Sequence, residues 1–100
     1  MRTAAGATAA ILKAIANEHR LLMLCALAEQ PLAVCDLNRH VPLAQSALSQ
    51  HLARLRGAGL VVTERDGPKI RYALADERTR RLIDVLCAEY GPPAPAPAAA

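Results

Sequence analysis

One hundred residues with a net charge of +3, 53% hydrophobic yet without Phe or Trp, make one domain whose core must come from Leu, Ile, Val and Ala. Two tyrosines are the only aromatics, which excludes the stacking platforms of single-stranded nucleic-acid binding. Three cysteines without a CxxC pair exclude a disulfide scaffold, and no apolar run has signal-peptide or membrane-span length, so the expected compartment is the reducing cytoplasm.

Ala7 to Ala16 reads as a short helix with Ile11, Leu12 and Ile15 on one stripe. Asn17 suits the N-cap of a second helix, about Glu18 to Glu29, with Glu18 in its first turn and Pro31 beyond its end. Leu21, Leu24, Cys25 and Ala28 share a face of it, with Leu22 beside them. A third, short helix is expected over about Val34 to Val41, with Leu37 and Val41 inward, before Pro42 breaks the chain. A fourth follows over about Gln45 to Arg56. Leu48, Leu52 and Leu55 mark its buried stripe, while Gln45, Ser46, Ser49, Gln50, Arg54 and Arg56 face mostly outward. Gly57 and Gly59 then offer left-handed cap conformations.

The hydrophobic period changes from 3.6 to 2 at Leu60 to Arg65, a strand rich in β-branched residues. Asp66-Gly67 signals a hairpin turn, and Pro68 removes a donor at its tip. In Lys69 to Leu74, apolar Ile70, Tyr72 and Leu74 alternate with Lys69, Arg71 and Ala73, which predicts one apolar and one basic face. Asp76 caps a fifth helix, Glu77 to Tyr90, with Leu82, Ile83, Leu86, Cys87 and Tyr90 on its apolar side. Gly91 stops it, and residues 92–100, only Pro and Ala, read as a disordered or polyproline-like tail outside a domain of residues 1–91.

The expected order is therefore α-α-α-α-β-β-α: mainly helical, with a helix-turn-helix followed at once by a β-hairpin. Charge concentrates there. Residues 41–72 carry five basic side chains (Arg54, Arg56, Arg65, Lys69, Arg71) against two acidic (Glu64, Asp66), so a polyanion should meet this face. A helix that reads base edges in the major groove needs short polar side chains over its first turns, and Gln45, Ser46, Ser49 and Gln50 supply them. Arg54, Arg65, Lys69 and Arg71 would follow the phosphates of double-stranded DNA, which positions a protein without specifying sequence.

The stretches Ala16-Asn17-Glu18-His19-Arg20-Leu21, Leu43-Ala44-Gln45-Ser46-Ala47-Leu48-Ser49-Gln50-His51-Leu52, Leu55-Arg56, Gly59-Leu60-Val61 and Arg71-Tyr72-Ala73-Leu74 together resemble the ArsR/SmtB family of winged helix-turn-helix repressors. The resemblance spans Leu12 to Tyr90 and is closest to the HlyU/BigR/NolR branch. It implies a homodimer joined through the first and last helices, repressing transcription from an inverted-repeat operator. By the family pattern Gln45, Ser46, Ser49, Gln50 and His51 face the major groove; His51 also has the plainer reading of a hydrogen bond within the domain. Ala44 departs from the pattern, since relatives usually place a capping Ser there.

What such a repressor senses is a question for the cysteines. In the named branch a Cys of the second helix and another near the end of the last form a disulfide or polysulfide bridge. Cys25 matches the first position; the second falls on Gly91, with Cys87 one helical turn earlier. Redox sensing at Cys25 and Cys87 stands against the alternative that both are small core hydrophobes. Cys35, in Val34-Cys35-Asp36-Leu37, resembles the arsenic-sensing motif of founding members, but Ala33 and Asn38 replace its flanking thiols and leave the site incomplete. No cofactor and no membrane partner are expected, and no metal site beyond the candidate Cys35, which keeps a metal- or arsenite-responsive repressor as an alternative. An enzyme is disfavoured too: there is no phosphate loop, no HExxH and no usefully spaced carboxylate pair. A winged-helix protein-interaction module remains the rival, and steep salt dependence would argue for DNA.

Overall fold

The computed structural model describes residues 2–90, and side chains from residue 4 onward; the expected stop at Gly91 and the Pro/Ala tail lie outside the described residues. Helices α1 (Arg2–Ile15) and α2 (Glu18–Glu29) lead to a two-residue strand β1 (Leu32–Ala33). Then come α3 (Val34–His40), α4 (Gln45–Gly57), the hairpin β2 (Val61–Asp66) and β3 (Lys69–Leu74), and α5 (Glu77–Tyr90). The fold is a winged helix-turn-helix, with one strand more than expected: β1 pairs with β3 on the side away from β2, Leu32 opposite Tyr72 and Ala33 opposite Arg71.

Local chemistry sets most boundaries. The Asn17 side chain accepts the Arg20 N–H at 3.0 Å and starts α2. The Asp76 carboxylate accepts the Thr79 N–H at 2.8 Å and starts α5, a bond that holds this carboxyl below its ordinary pKa. Gly59, with φ +78°, ends α4 in a conformation that other L-residues resist. Gly67, with φ +66°, takes the first of two central turn positions between Asp66 and Lys69, as a type II′ hairpin requires. Helix α1 begins at Arg2 rather than Ala7, because the alanine run favours helix and one Gly within it costs only about 1 kcal/mol.

The core lies around α2, which packs against α1, α3, α4, α5 and β3. Met23, Leu24 and Leu27 are wholly buried, together with Leu37, Leu48, Leu55 and Ile83. The expected apolar face of α2 (Leu21, Leu24, Cys25, Ala28) is thus too narrow: a helix surrounded on so many sides buries more than one stripe. Three further residues expected inside lie outside. Leu12 is 53% exposed while Ala14 replaces it in the α1 stripe, Ile70 is exposed near the hairpin tip beyond the reach of the core, and Tyr90 is 83% exposed at the end of α5.

Candidate nucleic-acid interface

Helices α3 and α4 form the helix-turn-helix. Leu37 and Val41 anchor α3 and the turn in the core. Asn38 then donates from Nδ2 to the carbonyls of Val41 (3.1 Å) and Leu43 (3.0 Å), locking the four-residue turn around Pro42 that aims α4. Ala44 stands at the N-cap of α4 without a side-chain hydrogen bond, so the N–H groups of the first turn remain free to meet an external acceptor.

Helix α4 is held from one side only. Leu48, Leu52 and Leu55 are at most 1% exposed. On the opposite side Gln45, Ser46, Ser49, Gln50 and Arg54 are all exposed, and Ala53 lies among them. With 3.6 residues per turn, Ser46, Ser49, Gln50 and Ala53 centre that open face. A row of short neutral side chains can approach base edges closely, and its hydroxyl and amide groups can read them. The flanking Arg54 and Arg56 put positive charge beside the row.

The register of the hairpin revises the expected wing. Directly paired residues share a sheet face. Arg65 pairs with Ile70, Thr63 with Tyr72 and Val61 with Leu74, so Arg65 lies on the apolar face. Lys69 pairs with Asp66 and Arg71 with Glu64, so the face expected to be basic is mixed. Arg71 is half-buried in the central strand and its guanidinium forms a salt bridge to Asp66 at 3.1 Å. That pairing engages Arg71 with Asp66, while Arg65 and Lys69 stay exposed near the tip without an acidic partner among the described residues.

His51 also departs from the outward face. It is half-buried against α2, its ring centroid 5.7 Å from that of His19. Arg20 Nη1 donates to its Nδ1 at 3.3 Å. Burial lowers the His51 pKa below the ordinary histidine value, with the charges of Arg20 and His19 adding to the effect. Sequence reasoning missed both Arg20 and Asn38. Arg20 heads the helical stripe 20-23-24-27, and an arginine in line with Met23, Leu24 and Leu27 was the available signal.

Cys25 on α2 and Cys87 on α5 are brought together as a disulfide, with their Cα atoms 6.6 Å apart, within the usual span for such a bond. Cys35 is a free, exposed thiol on α3, beside Asn38, Gln45 and Ile70 in a hollow of about 430 Å³. Among the described residues no group of three or more His, Cys, Asp or Glu side chains could hold a metal ion, and no helix is long and apolar enough to cross a membrane.

Comparison with known proteins agrees with this geometry. The family described as "Bacterial regulatory protein, arsR family" matches residues 17–63. The transcriptional activator HlyU of Vibrio cholerae is 45% identical over 76 residues, 76% of this chain and 70% of that protein. The biofilm growth-associated repressor of Agrobacterium fabrum is 38% identical over 93 residues, 93% of this chain and 80% of that protein. Reduced HlyU from Vibrio cholerae superposes with a TM-score of 0.83 at 40% identity, covering 90% of this chain and 95% of that one. The homodimeric winged helix-turn-helix domain of Mb0332 from Mycobacterium bovis superposes with a TM-score of 0.80 at 29% identity, covering 87% and 81%.

Proposed function

Because this chain belongs to the arsR family of bacterial regulatory proteins, non-enzymatic DNA-binding regulators of transcription, we propose that it represses transcription as a homodimer on an inverted-repeat operator. The observation that carries this reading is the two-sidedness of α4: three fully buried leucines fix one side, and Gln45, Ser46, Ser49 and Gln50 stand free on the other. Held so, the helix enters a major groove with its first turns foremost.

Two helices favour the dimer. Helix α1 is exposed from Ala4 to Ala10, five of those seven residues being alanine, and Leu12 follows on its outer side. On α5, Val85 (56%) and Tyr90 (83%) are likewise uncovered. A 14-residue helix exposing this much of itself gains stability by packing against a second copy. Mb0332 is a homodimer with the same fold. Two-fold symmetry then sets the two α4 helices about one DNA turn, ~34 Å, apart. Repression rather than activation follows the Agrobacterium relative; HlyU is named an activator, so the direction depends on where the operator lies.

The Cys25–Cys87 pair is the proposed sensor. Oxidation of the two thiols transfers two electrons and two protons to the oxidant; with an organic persulfide the products are the disulfide, a thiol and hydrogen sulfide. When one cysteine first takes the outer sulfur of a second persulfide, releasing a second thiol, closure gives a trisulfide, and that longer bridge would push α5 away from α2, and with it the partner subunit.

The test starts from duplexes enriched by the purified, reduced protein from a random-sequence library. Alanine at Gln45, Ser46, Ser49 and Gln50 together should abolish binding while the dimer persists by light scattering. Retained binding would refute the assignment of α4. Persulfide treatment should release the enriched duplex from the native protein and not from a Cys25→Ser, Cys87→Ser variant; equal release from both would reject the sensor.

A further inference from the structure

Arg20 is an unusual core residue. It is only 9% exposed, carries an obligatory positive charge, and has no carboxylate partner among the described residues. Burial and the nearby Arg54 lower its pKa from the ordinary arginine value. What satisfies it is a set of acceptors on two other helices. Nε donates to the Ala14 carbonyl at 2.5 Å and Nη2 to the Lys13 carbonyl at 3.4 Å, both at the C-terminal end of α1. Nη1 donates to His51 Nδ1 on α4. The α1 carbonyls sit where the helix dipole is negative, which offsets part of the burial cost of the cation. One guanidinium therefore joins three helices: α1, exposed and apolar; α2, at the centre; and α4, which faces DNA.

We infer that Arg20 is a positioning residue for DNA recognition: through a neutral His51 it fixes the orientation of α4 relative to α1, so operator affinity depends on His51 remaining a proton acceptor. The inference rests on the DNA-binding reading of α4. Its physical content is the fork geometry of arginine. Three donors in one plane reach two carbonyls and a ring nitrogen at once, which the ammonium of lysine cannot reproduce. His51 must carry its proton on Nε2 for Nδ1 to accept. Protonating the ring removes the acceptor and places two cations 3.3 Å apart. The groups facing His51 are Arg20 and His19 from α2 and Arg54 on its own helix beyond Arg20, while α1 presents carbonyls to Arg20 and β2 presents apolar Val61 to the core beside α4. All the titratable neighbours are basic, so every local charge opposes the imidazolium.

This gives the pH dependence an unusual sign. A histidine that touches phosphates binds DNA more tightly when protonated. A histidine that accepts from Arg20 has the opposite effect, and affinity should fall as the pH is lowered below the ordinary histidine value. The experiment measures fluorescence anisotropy of the wild-type-enriched duplex from pH 7.5 to 5.5 at constant ionic strength. Arg20→Lys, His51→Ala and His51→Asn are compared with the native dimer. Losing one hydrogen bond to a charged group is expected to lower affinity about tenfold at pH 7.5 in Arg20→Lys and His51→Ala. His51→Asn, whose Oδ1 stands near the place of Nδ1, should recover most of that loss and flatten the acidic fall. Native His51 resonances and the amides of Ala14 and His51, followed by NMR without DNA, should titrate with one midpoint. That measurement decides the coupling even where a variant fails to fold. Wild-type affinity in His51→Ala with an unchanged pH profile would overturn the inference, as would separate midpoints for the α1 and α4 amides. Failure of the native protein to enrich any duplex would instead overturn the DNA-binding reading, and this inference with it.

Discussion

The salt dependence of operator binding can be worked out side chain by side chain. Each protomer offers four free cations along the proposed DNA path, Arg54 and Arg56 on α4 and Arg65 and Lys69 on the wing, all exposed and without an acidic partner among the described residues. Arg71 is left out because Asp66 neutralises it at 3.1 Å. The proposed dimer would then make about eight phosphate contacts, and log K should fall against log salt with a slope near −7, since each contact contributes about −0.9. Between 50 and 200 mM salt the affinity then drops on the order of 10⁴-fold. Lys69→Ala removes two contacts per dimer and should reduce the slope by about 1.8. Removing the paired charges together, Asp66→Ala with Arg71→Ala, should leave the slope within about 0.5 of native. Anisotropy titrations on one duplex at four salt concentrations measure all three. If the Asp66/Arg71 double variant flattens the slope as much as Lys69→Ala, the ion pair opens on DNA and the account of the wing is wrong.

Other outcomes follow from single features. Ala44→Ser supplies the missing side-chain cap of α4 and should add about 1 kcal/mol of stability, a rise of roughly 4–8 °C in Tm by calorimetry at this chain length. Leu52→Ala, at a site 1% exposed, should lose about 3 kcal/mol in urea unfolding and loosen α4 from the core. Reducing the Cys25–Cys87 bond, which spans 62 residues of chain, should lower stability by about 4 kcal/mol in the chain-entropy account. Because the folded state lowers the His51 pKa, its contribution to stability is complete above pH 6.5 and is lost as the pH falls through the lowered value; urea midpoints for native protein and His51→Asn should therefore diverge on acidification.

The sequence exposed what is set locally. The caps at Asn17 and Asp76, the leucine stripe of α4, the switch of period at the hairpin and the Asp66-Gly67 turn each depend on residues within a few positions of one another. Features that depend on distant partners were less legible. Strand β1 is two residues long and exists because β3, some forty positions later, offers an edge. Arg71 looked like a free cation by alternation, yet its pairing with Asp66 depends on the hairpin register. His51 could be placed on the border of the polar face but not assigned, since its partner Arg20 lies on another helix. Leu12, Val85 and Tyr90 are exposed in a single chain, and the proposed second copy would cover them.

Sensing by Cys25 and Cys87 must be kept apart from the stability their bond confers. A crosslink that constrains the unfolded chain leaves DNA affinity unchanged unless the oxidised and reduced folds bind DNA differently. With Cα atoms 6.6 Å apart, the direct disulfide joins α2 and α5 at a separation that such a bond already accepts, so it asks little movement of either helix. In the proposed sensor, extra sulfur atoms would lengthen the bridge, and the displacement would fall on α5. That helix is tied to the end of α2 by Arg80, which donates to the Ala28 carbonyl at 2.6 Å, and it carries the exposed Val85 and Tyr90 toward the proposed partner. A shift there would alter the relation between the two protomers of the proposed dimer, which is the quantity a palindromic operator would read. Stability measurements on the disulfide therefore report the bond, while on the proposed mechanism release from DNA would report the length of the sulfur chain. The two should separate when disulfide and polysulfide forms are purified and assayed side by side.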